Sequence, residues 1–130
     1  MRLVVSGSTP SKKNSRINTK SGRSFPSKRY TEWHDSAVVE MQQQFAGYRV
    51  TEYPITVRAV FFWKDRRRHD TDNSLSSILD TLKDAGVIED DDFNHVSMSC
   101  GQYGGTDKEN PRCEIYLDES FVFTPKNNYN

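Results

Sequence analysis

Two pairs of aspartates, one on each side of a helix-like segment, are the residues best suited to chemistry in this sequence. Asp70 and Asp72 stand two residues apart, and Asp90 and Asp91 follow in the acidic run "EDDD". Residues at i and i+2 of an extended backbone point to the same face, so the first pair can converge on one cation. Magnesium prefers oxygen ligands and usually takes few protein carboxylates, with water and substrate completing its shell. The aspartates are therefore candidate metal ligands.

Three consecutive arginines, Arg66, Arg67 and Arg68, run directly into the first aspartate pair. Arginine binds phosphate through paired hydrogen bonds, and a divalent ion held by nearby carboxylates can bridge to the same phosphodiester. Other interpretations remain open from these residues alone. An aspartate at a helix start is commonly a cap, an acidic run is commonly a solvated turn, and surface arginines commonly pair with acids. Neither an EF-hand loop nor a P-loop fits the sequence.

A second basic region lies at the N-terminus. Residues 1–31 contain eight lysines or arginines and no acid, although the whole chain has 18 basic and 18 acidic side chains and a formal net charge of zero. The segment 6–27, rich in Ser, Lys, Asn, Gly and Pro, is predicted to be a long loop. A long loop in a compact domain usually has a function. We expect Lys12, Lys13 and Arg16 to contact nucleic-acid phosphates, together with the three arginines before Asp70.

The remaining sequence predicts the elements that position these groups. A short strand at 3–5 comes first, followed by a helix over 27–48 that Gly47 ends and a strand over 55–63. A second helix begins at Asp70 or Asp72 and ends near Gly86. Two further strands are predicted at 95–101 and 113–117, joined by a turn or flexible linker at 102–111. The two helices have apolar residues at spacings of three and four, at Tyr30, Trp33, Ala37, Val38, Met41 and Phe45 and at Leu75, Ile78, Leu79, Leu82 and Ala85.

This order, β-α-β-α-β-β, predicts a single small α/β (mixed α+β) domain over 1–123, with a mixed four-stranded sheet, two main helices and a C-terminal tail at 124–130. Cys100 and Cys113 lack zinc-site spacing and are expected to be free, buried thiols. The sequence shows no signal peptide and no apolar run of membrane length. We therefore expect a cytoplasmic protein with no membrane partner.

The stretch "RRRHDTDNSLSSILDTLKDAGVIEDDDFNHV" resembles the RusA-type Holliday junction resolvases. These share a D-x-D-N start, an L-D-x-L helix segment, an A-G-V or A-G-F turn and a closing D-D pair, which here fall at 70–73, 79–82, 85–87 and 90–91. The stretch "TPSKKNSR" near the N-terminus is similar to the family's Pro-Ser-x-Asn element. The resemblance spans nearly the whole chain.

The resemblance implies a crossover junction endodeoxyribonuclease, bacterial or phage-encoded, that acts in DNA recombination and repair. It implies a homodimer that binds four-way DNA junctions and cuts two strands of like polarity with Mg²⁺ or Mn²⁺. The catalytic aspartates map onto Asp70, Asp72 and Asp91, which also hold the metal, with Asp90 as an assisting ligand.

One position departs from the family pattern. Family members commonly carry a lysine four residues after the second aspartate, and here that position is Ser76. The departure motivates an alternative function, a junction-binding protein with weak or no nuclease activity. A third interpretation is a small interaction domain whose acids only solubilise the surface.

Overall fold

A computed structural model of the protein describes residues 1–12, 16–46 and 49–119. Three expectations, on Lys13, on Gly47 and on the tail at 124–130, lie outside these residues. The elements in chain order are β1 (Arg2–Ser6), β2 (Arg16–Asn18), β3 (Ser24–Pro26), α1 (Lys28–Phe45), β4 (Ile55–Trp63), α2 (Thr71–Asp84), β5 (Val96–Thr106) and β6 (Arg112–Glu119).

A mixed four-stranded sheet forms the centre of the fold, as the sequence predicts. The strand order is β1-β6-β4-β5. β4 pairs in parallel with β5 and antiparallel with β6, and β1 pairs antiparallel with β6. Because β4 and β5 are parallel, α2 must cross back over the sheet to join them. Its two ends therefore lie at opposite ends of these strands.

The buried apolar side chains of the helices and of one sheet face form a single core. In α1, Ala37, Met41 and Phe45 are buried against the sheet, and in α2 the same is true of Ile78 and Leu82. These residues follow the predicted spacing of three and four, which places them on one stripe of each helix. The mixed α+β architecture is thus confirmed, with both main helices at the predicted positions.

The segment after β1 packs along α2 through hydroxyl groups rather than apolar contacts. The Oγ atoms of Ser74 and Ser77 donate to the backbone oxygens of Thr9 and Pro10, at 3.4 and 2.8 Å. Both serines are buried. A buried hydroxyl is stable only when it is hydrogen-bonded, so these serines fix where residues 9–12 run.

Part of the predicted long loop at 6–27 is a hairpin, which corrects the sequence prediction. β2 and β3 pair antiparallel, and Ile17 lies opposite Phe25. Gly22 in the connecting turn has φ +84°, a conformation that glycine adopts without steric cost. Arg16 also donates to the side chain and backbone of Ser24 across the pair. Each strand of this hairpin is three residues long and has one large apolar side chain, Ile17 or Phe25. The sequence therefore shows no alternation of polar and apolar residues that would predict it.

The prediction of a linker at 102–111 is also partly wrong, because β5 continues to Thr106. The backbone of β5 follows β4 to its end, where Trp63 lies opposite Thr106. One of the glycines that suggest a turn, Gly104, has a packing role. A Cβ at Gly104 would lie 2.6 Å from the Phe62 ring, so only glycine fits beside β4 there.

Both cysteines are free, as expected, but only Cys113 is buried and Cys100 is exposed on β5. Among residues 1–12, 16–46 and 49–119, no helix has the length and apolar character needed to cross a membrane.

Candidate active site

Asp70 caps the N-terminus of α2. Its Oδ1 accepts hydrogen bonds from the backbone N–H groups of Asp72 and Asn73, at 2.9 and 3.2 Å, and its Oδ2 accepts from Asn73 Nδ2 at 3.2 Å. The residue itself is extended, with φ −110° and ψ 114°. The predicted cap is therefore confirmed. A carboxylate has about four acceptor positions, so three hydrogen bonds leave Oδ2 able to contact a cation as well.

Asp72 lies in the first turn of the same helix and is exposed to solvent. Within the described part of the chain, its carboxylate has no hydrogen-bond or ion-pair partner. The positive end of the helix dipole favours negative charge at this position. Two carboxylates, one of them without a protein partner, therefore stand together at the start of α2. Oxygen donors of this kind, open to water and substrate, fit the ligand preference of Mg²⁺.

Asp90 and Asp91 lie at the other end of α2. Lys83, in the last turn of the helix, has its Nζ 3.7 Å from Asp91 Oδ1 and 3.9 Å from Asp90 Oδ1. Asp90 Oδ1 also accepts from the backbone N–H of Asp91 at 2.7 Å. The ammonium group of Lys83 thus offsets the repulsion between the two neighbouring carboxylates.

The structure does not bring all of the predicted ligands together in one chain. α2 has 14 residues, which corresponds to a rise of about 20 Å, and it separates Asp70 and Asp72 from Asp90 and Asp91. Among the residues that the structure describes, no group of three or more His, Cys, Asp or Glu side chains could hold one metal ion. The assignment of these aspartates to a single site stays a prediction.

A close approach of backbone to backbone fixes the start of α2 against the sheet. A Cβ at Gly101 of β5 would lie 2.7 Å from the backbone oxygen of Thr71, the first residue of α2. Any larger residue would push the helix start away from the strand. No local sequence pattern indicates this contact, because it depends on where the start of α2 lies against β5.

The arginine segment lies beside the helix start, held by an acid and an aromatic stack. Asp65 accepts from the backbone N–H of Arg67 at 3.0 Å and lies 3.3 Å from His69 Nε2. The hydrogen bond from Arg67 holds the pKa of Asp65 below its usual value, so the carboxylate stays ionised. His69 in turn stacks on Trp63, with ring centroids 4.3 Å apart. Arg66, Arg67 and Arg68 themselves remain exposed.

The other predicted DNA contacts are distributed differently. Lys12 Nζ donates to Asp80 Oδ2 at 2.9 Å, so its charge is partly matched near the middle of α2. Arg16 is exposed on the hairpin, where it bonds to Ser24. The charge most available to a phosphate therefore lies in the three arginines next to Asp70.

The loop that carries Asp90 and Asp91 is fixed by a histidine that the sequence did not single out. His95 Nδ1 lies 2.6 Å from Asp92 Oδ1, and its Nε2 lies 3.2 Å from Glu89 Oε1. The hydrogen bond to Asp92 and then that to Glu89 raise the pKa of His95, while partial desolvation opposes them. His95 therefore closes the turn from residue 89 to residue 95.

Comparison with known proteins identifies the family. The family model described as "Endodeoxyribonuclease RusA" matches residues 7–118. The chain is also similar to the "Crossover junction endodeoxyribonuclease RusA" of Aquifex aeolicus (strain VF5), with 35% identity over 93 residues, which cover 72% of this chain and 73% of that protein. The range 7–118 matched by the family model includes both carboxylate pairs, the arginines and the hairpin. The resemblance seen in the sequence is thereby confirmed, and the chain belongs to the RusA family of endodeoxyribonucleases.

Proposed function

We propose that the protein is a metal-dependent endodeoxyribonuclease that resolves four-way DNA junctions. The observation that carries the proposal is the juxtaposition at the start of α2. Asp70 and Asp72 stand at a helix N-terminus, directly after three exposed arginines. Arginines that bind the phosphate backbone and carboxylates that hold a divalent cation are the two parts needed for phosphodiester cleavage.

The roles follow from position. Asp70 and Asp72 would hold the cation, Mg²⁺ or Mn²⁺, which supplies charge for the phosphate and lowers the pKa of a bound water when present. The arginines bind the neighbouring phosphates and hold the strand against the helix start. Asp70 keeps its capping hydrogen bonds throughout, and these fix the orientation of its carboxylate. Rigid support of this kind is what a metal ligand requires.

The separation of the two carboxylate pairs supports a homodimer as the active form. A second copy can supply the acid that one chain keeps a helix length away. Within the described residues β5 is an edge strand, and its sequence, "VSMSCGQYGGT", contains no charged residue. Edge strands that must not pair usually carry charges. A two-fold axis beside β5 would pair the two copies of this strand antiparallel.

The outer face of α2 is consistent with the same axis. Asp72, Ser76 and Lys83 follow spacings of four and seven, so they lie on one stripe of the helix, and all three are exposed. This stripe is about a quarter-turn from the buried face and points away from the side that holds residues 9–12. Two antiparallel copies would place Asp72 of one chain near Lys83 and Asp91 of the other.

The same pairing of two chains can compensate for the departure from the family pattern at Ser76. A lysine at that position would put an ammonium group near the scissile phosphate, and serine cannot. Lys83 lies within 4 Å of Asp91 in its own chain, so it would enter the shared site together with that carboxylate. We propose that Lys83 supplies the cation that position 76 lacks.

The direct test is cleavage of a labelled synthetic four-way junction and a matched duplex, in Mg²⁺, Mn²⁺ or EDTA. We expect cleavage of the junction only, and only with a metal ion. Asp72→Asn keeps the size of the side chain but removes a charge, so it should abolish cleavage while junction binding stays the same or tightens. Full cleavage by Asp72→Asn would refute the assignment of the site.

A second candidate function is junction binding without cleavage, and Ser76 is the observation that favours it. Both functions predict salt-sensitive DNA binding, and only the first predicts metal-dependent nicking. Either one would act in the compartment that holds the DNA, which in a bacterium or a phage-infected cell is the cytoplasm.

A further inference from the structure

A pocket of about 290 Å³ opens beside the start of α2, and the proposed cleavage reaction uses its arginines but not its aromatic rings. Aromatic rings and arginines line it together, among them His69 and Tyr103, Arg66 and Arg67, and it reaches Thr71. Thr71 lies between the two aspartates at the start of α2. A residue that lines the pocket is therefore the immediate neighbour in sequence of both proposed metal ligands.

Three aromatic rings give the pocket flat and nearly parallel surfaces. Trp63 and His69 stack with an interplanar angle of 5°, and Trp63 and Tyr103 lie at 16° with centroids 6.1 Å apart. Trp63 is only 2% exposed, and its Nε1 donates to the backbone oxygen of Thr9. The stack is thus anchored in the core. Tyr103 at its outer end is 57% exposed, which is unusual for a large ring on a sheet.

A hydrogen bond fixes the orientation of the exposed ring. Tyr103 Oη lies 2.8 Å from Oγ1 of Thr106, three residues further along β5. Because its polar end is already bonded, the ring is held in place where it lines the pocket. Preorganised aromatic faces of this type bind flat ligands with little loss of side-chain entropy.

The charge around the pocket selects among flat ligands. Two arginines and one aspartate, Asp65, contribute to the rim, and Asp65 already binds Arg67 and His69. The rim therefore carries a net positive charge, which disfavours a cationic ligand and favours one attached to phosphate. A phosphate alone would need the arginines but would gain nothing from the rings.

We infer that this pocket binds one nucleobase of the substrate, unstacked from the strand next to the phosphate that Asp70 and Asp72 address. The inference rests on the proposed function and specifies how that site holds its substrate. Stacking on aromatic side chains accepts any base and contributes about 1–3 kcal/mol per base. Unstacking is least costly where bases already have incomplete neighbours, as at the crossover of a junction. The pocket would therefore favour branched DNA over continuous duplex.

The test combines a change in the protein with a change in the DNA. Tyr103→Leu removes the ring, and a set of junctions each lacks one base among the nucleotides that flank the crossover. Binding is measured by titration in EDTA, so it does not depend on cleavage. For the intact junction we expect Tyr103→Leu to weaken binding about 5- to 150-fold. For one junction of the set, the wild type and Tyr103→Leu should bind equally, because the stacking partner is already absent.

Two further variants separate stacking from a structural role. Tyr103→Phe keeps the ring, and we expect it to restore the dependence on that base. Tyr116→Leu removes a ring from β6, far from the pocket, and should leave the dependence on each base as in the wild type. An equal loss of binding on every junction, or no loss on any, would overturn the inference. Cleavage of the intact junction with Mg²⁺ is scored separately, so a failure of the proposed nuclease function is recognised independently.

Discussion

Asp70 combines two roles on one side chain, because it caps α2 and is a proposed metal ligand. Alanine removes both roles, whereas asparagine is also a good cap and removes only the charge. We predict that Asp70→Ala lowers the free energy of unfolding by about 1 kcal/mol. Asp70→Asn should change it by only about a few tenths of a kcal/mol. Neither variant should cleave DNA. Urea unfolding of the two proteins, together with a junction cleavage assay, measures both effects.

If Asp70→Asn proved as unstable as Asp70→Ala, the loss of cleavage could be explained by a displaced helix. Thr71→Ser provides a control beside it, since it removes one methyl group from the same turn, keeps the hydroxyl beside the pocket and touches neither carboxylate. Its cleavage measures how much of the loss comes from disturbing the turn alone.

His95 should make the stability of the 89–95 turn depend on pH. Its pKa is raised above 6.5 in the folded protein, chiefly by the hydrogen bond to Asp92. A raised pKa contributes stability that is fully present below the unfolded value and lost as pH rises through the folded one. Asp92 has a pKa lowered from 3.8, chiefly by the same hydrogen bond, so its contribution is lost as pH falls through the folded value.

We therefore predict that the wild type gains stability over His95→Gln between about pH 4 and pH 6.5 and loses this gain above that range. Thermal unfolding of both proteins from pH 4 to pH 9 gives the difference directly. A difference independent of pH would mean that the imidazole acts only by its shape, through its edge contact with Tyr53.

At the level of single residues, the sequence predicts what local chemistry determines. The cap at Asp70 follows from its place before an apolar helical stripe, and the family motif predicts the four aspartates as metal ligands. Lys83 and Gly101 could not be found this way. Their roles depend on which strand lies beside α2 and on how the chain returns after it, and neither is encoded within a few neighbouring positions.

The arginine segment and the segment before the hairpin should contribute unequally to DNA binding. Each neutralised phosphate adds about 0.9 to the slope of log K against log salt. We predict that Arg66→Ala with Arg68→Ala lowers the slope by about 1.8. Lys12→Ala should lower it by less, because Asp80 already partly matches its charge. Arg2→Ala, on the opposite edge of the sheet, serves as the control, and salt titrations of junction binding provide the slopes.

An equal effect of Arg2→Ala would show that the slope reflects overall charge rather than contacts at α2. If Lys12→Ala lowered the slope more than the two arginine substitutions, the DNA path would have to lie along the middle of α2 instead.

The elements were predicted well where their pattern is long and poorly where glycine interrupts it. Both helices and β4 have many apolar positions, and they lie where the sequence predicts. The sequence predicts that β5 ends too early, because residues 102–106 contain two glycines, which usually indicate a turn. In the folded chain Gly104 accommodates the Phe62 ring and the Val60 side chain of β4, and Gly105 has φ +141°. Tertiary packing therefore decides the end of this strand.

At the level of the whole molecule, a shared site predicts complementation between two inactive variants. Asp72→Asn and Asp91→Asn should each be inactive alone. In a mixed dimer, one site would combine both defects and the other would have neither. Equal mixing yields half mixed dimers, so about a quarter of the wild-type sites should be restored. A cleavage assay on the unfolded and refolded mixture measures this recovery.

If each chain held a complete site, the mixture would stay inactive, because every chain carries one defect. Sedimentation of the wild type at micromolar concentration should accompany the test, and it should give about twice the chain mass of 15.0 kDa. A monomer that still makes both cuts would contradict the shared site.

The length of α2 bears on when the protein can cut DNA at all. In the proposed shared site, a single chain would hold its two carboxylate pairs about 20 Å apart and would have no complete centre before it dimerises. Well below the dissociation constant of the dimer, activity should then rise with the square of the chain concentration. Low expression would leave chromosomes intact, and a modest increase would switch resolution on. In the proposed dimer, the length of α2 would in this way limit stray single-strand nicks when the protein is scarce.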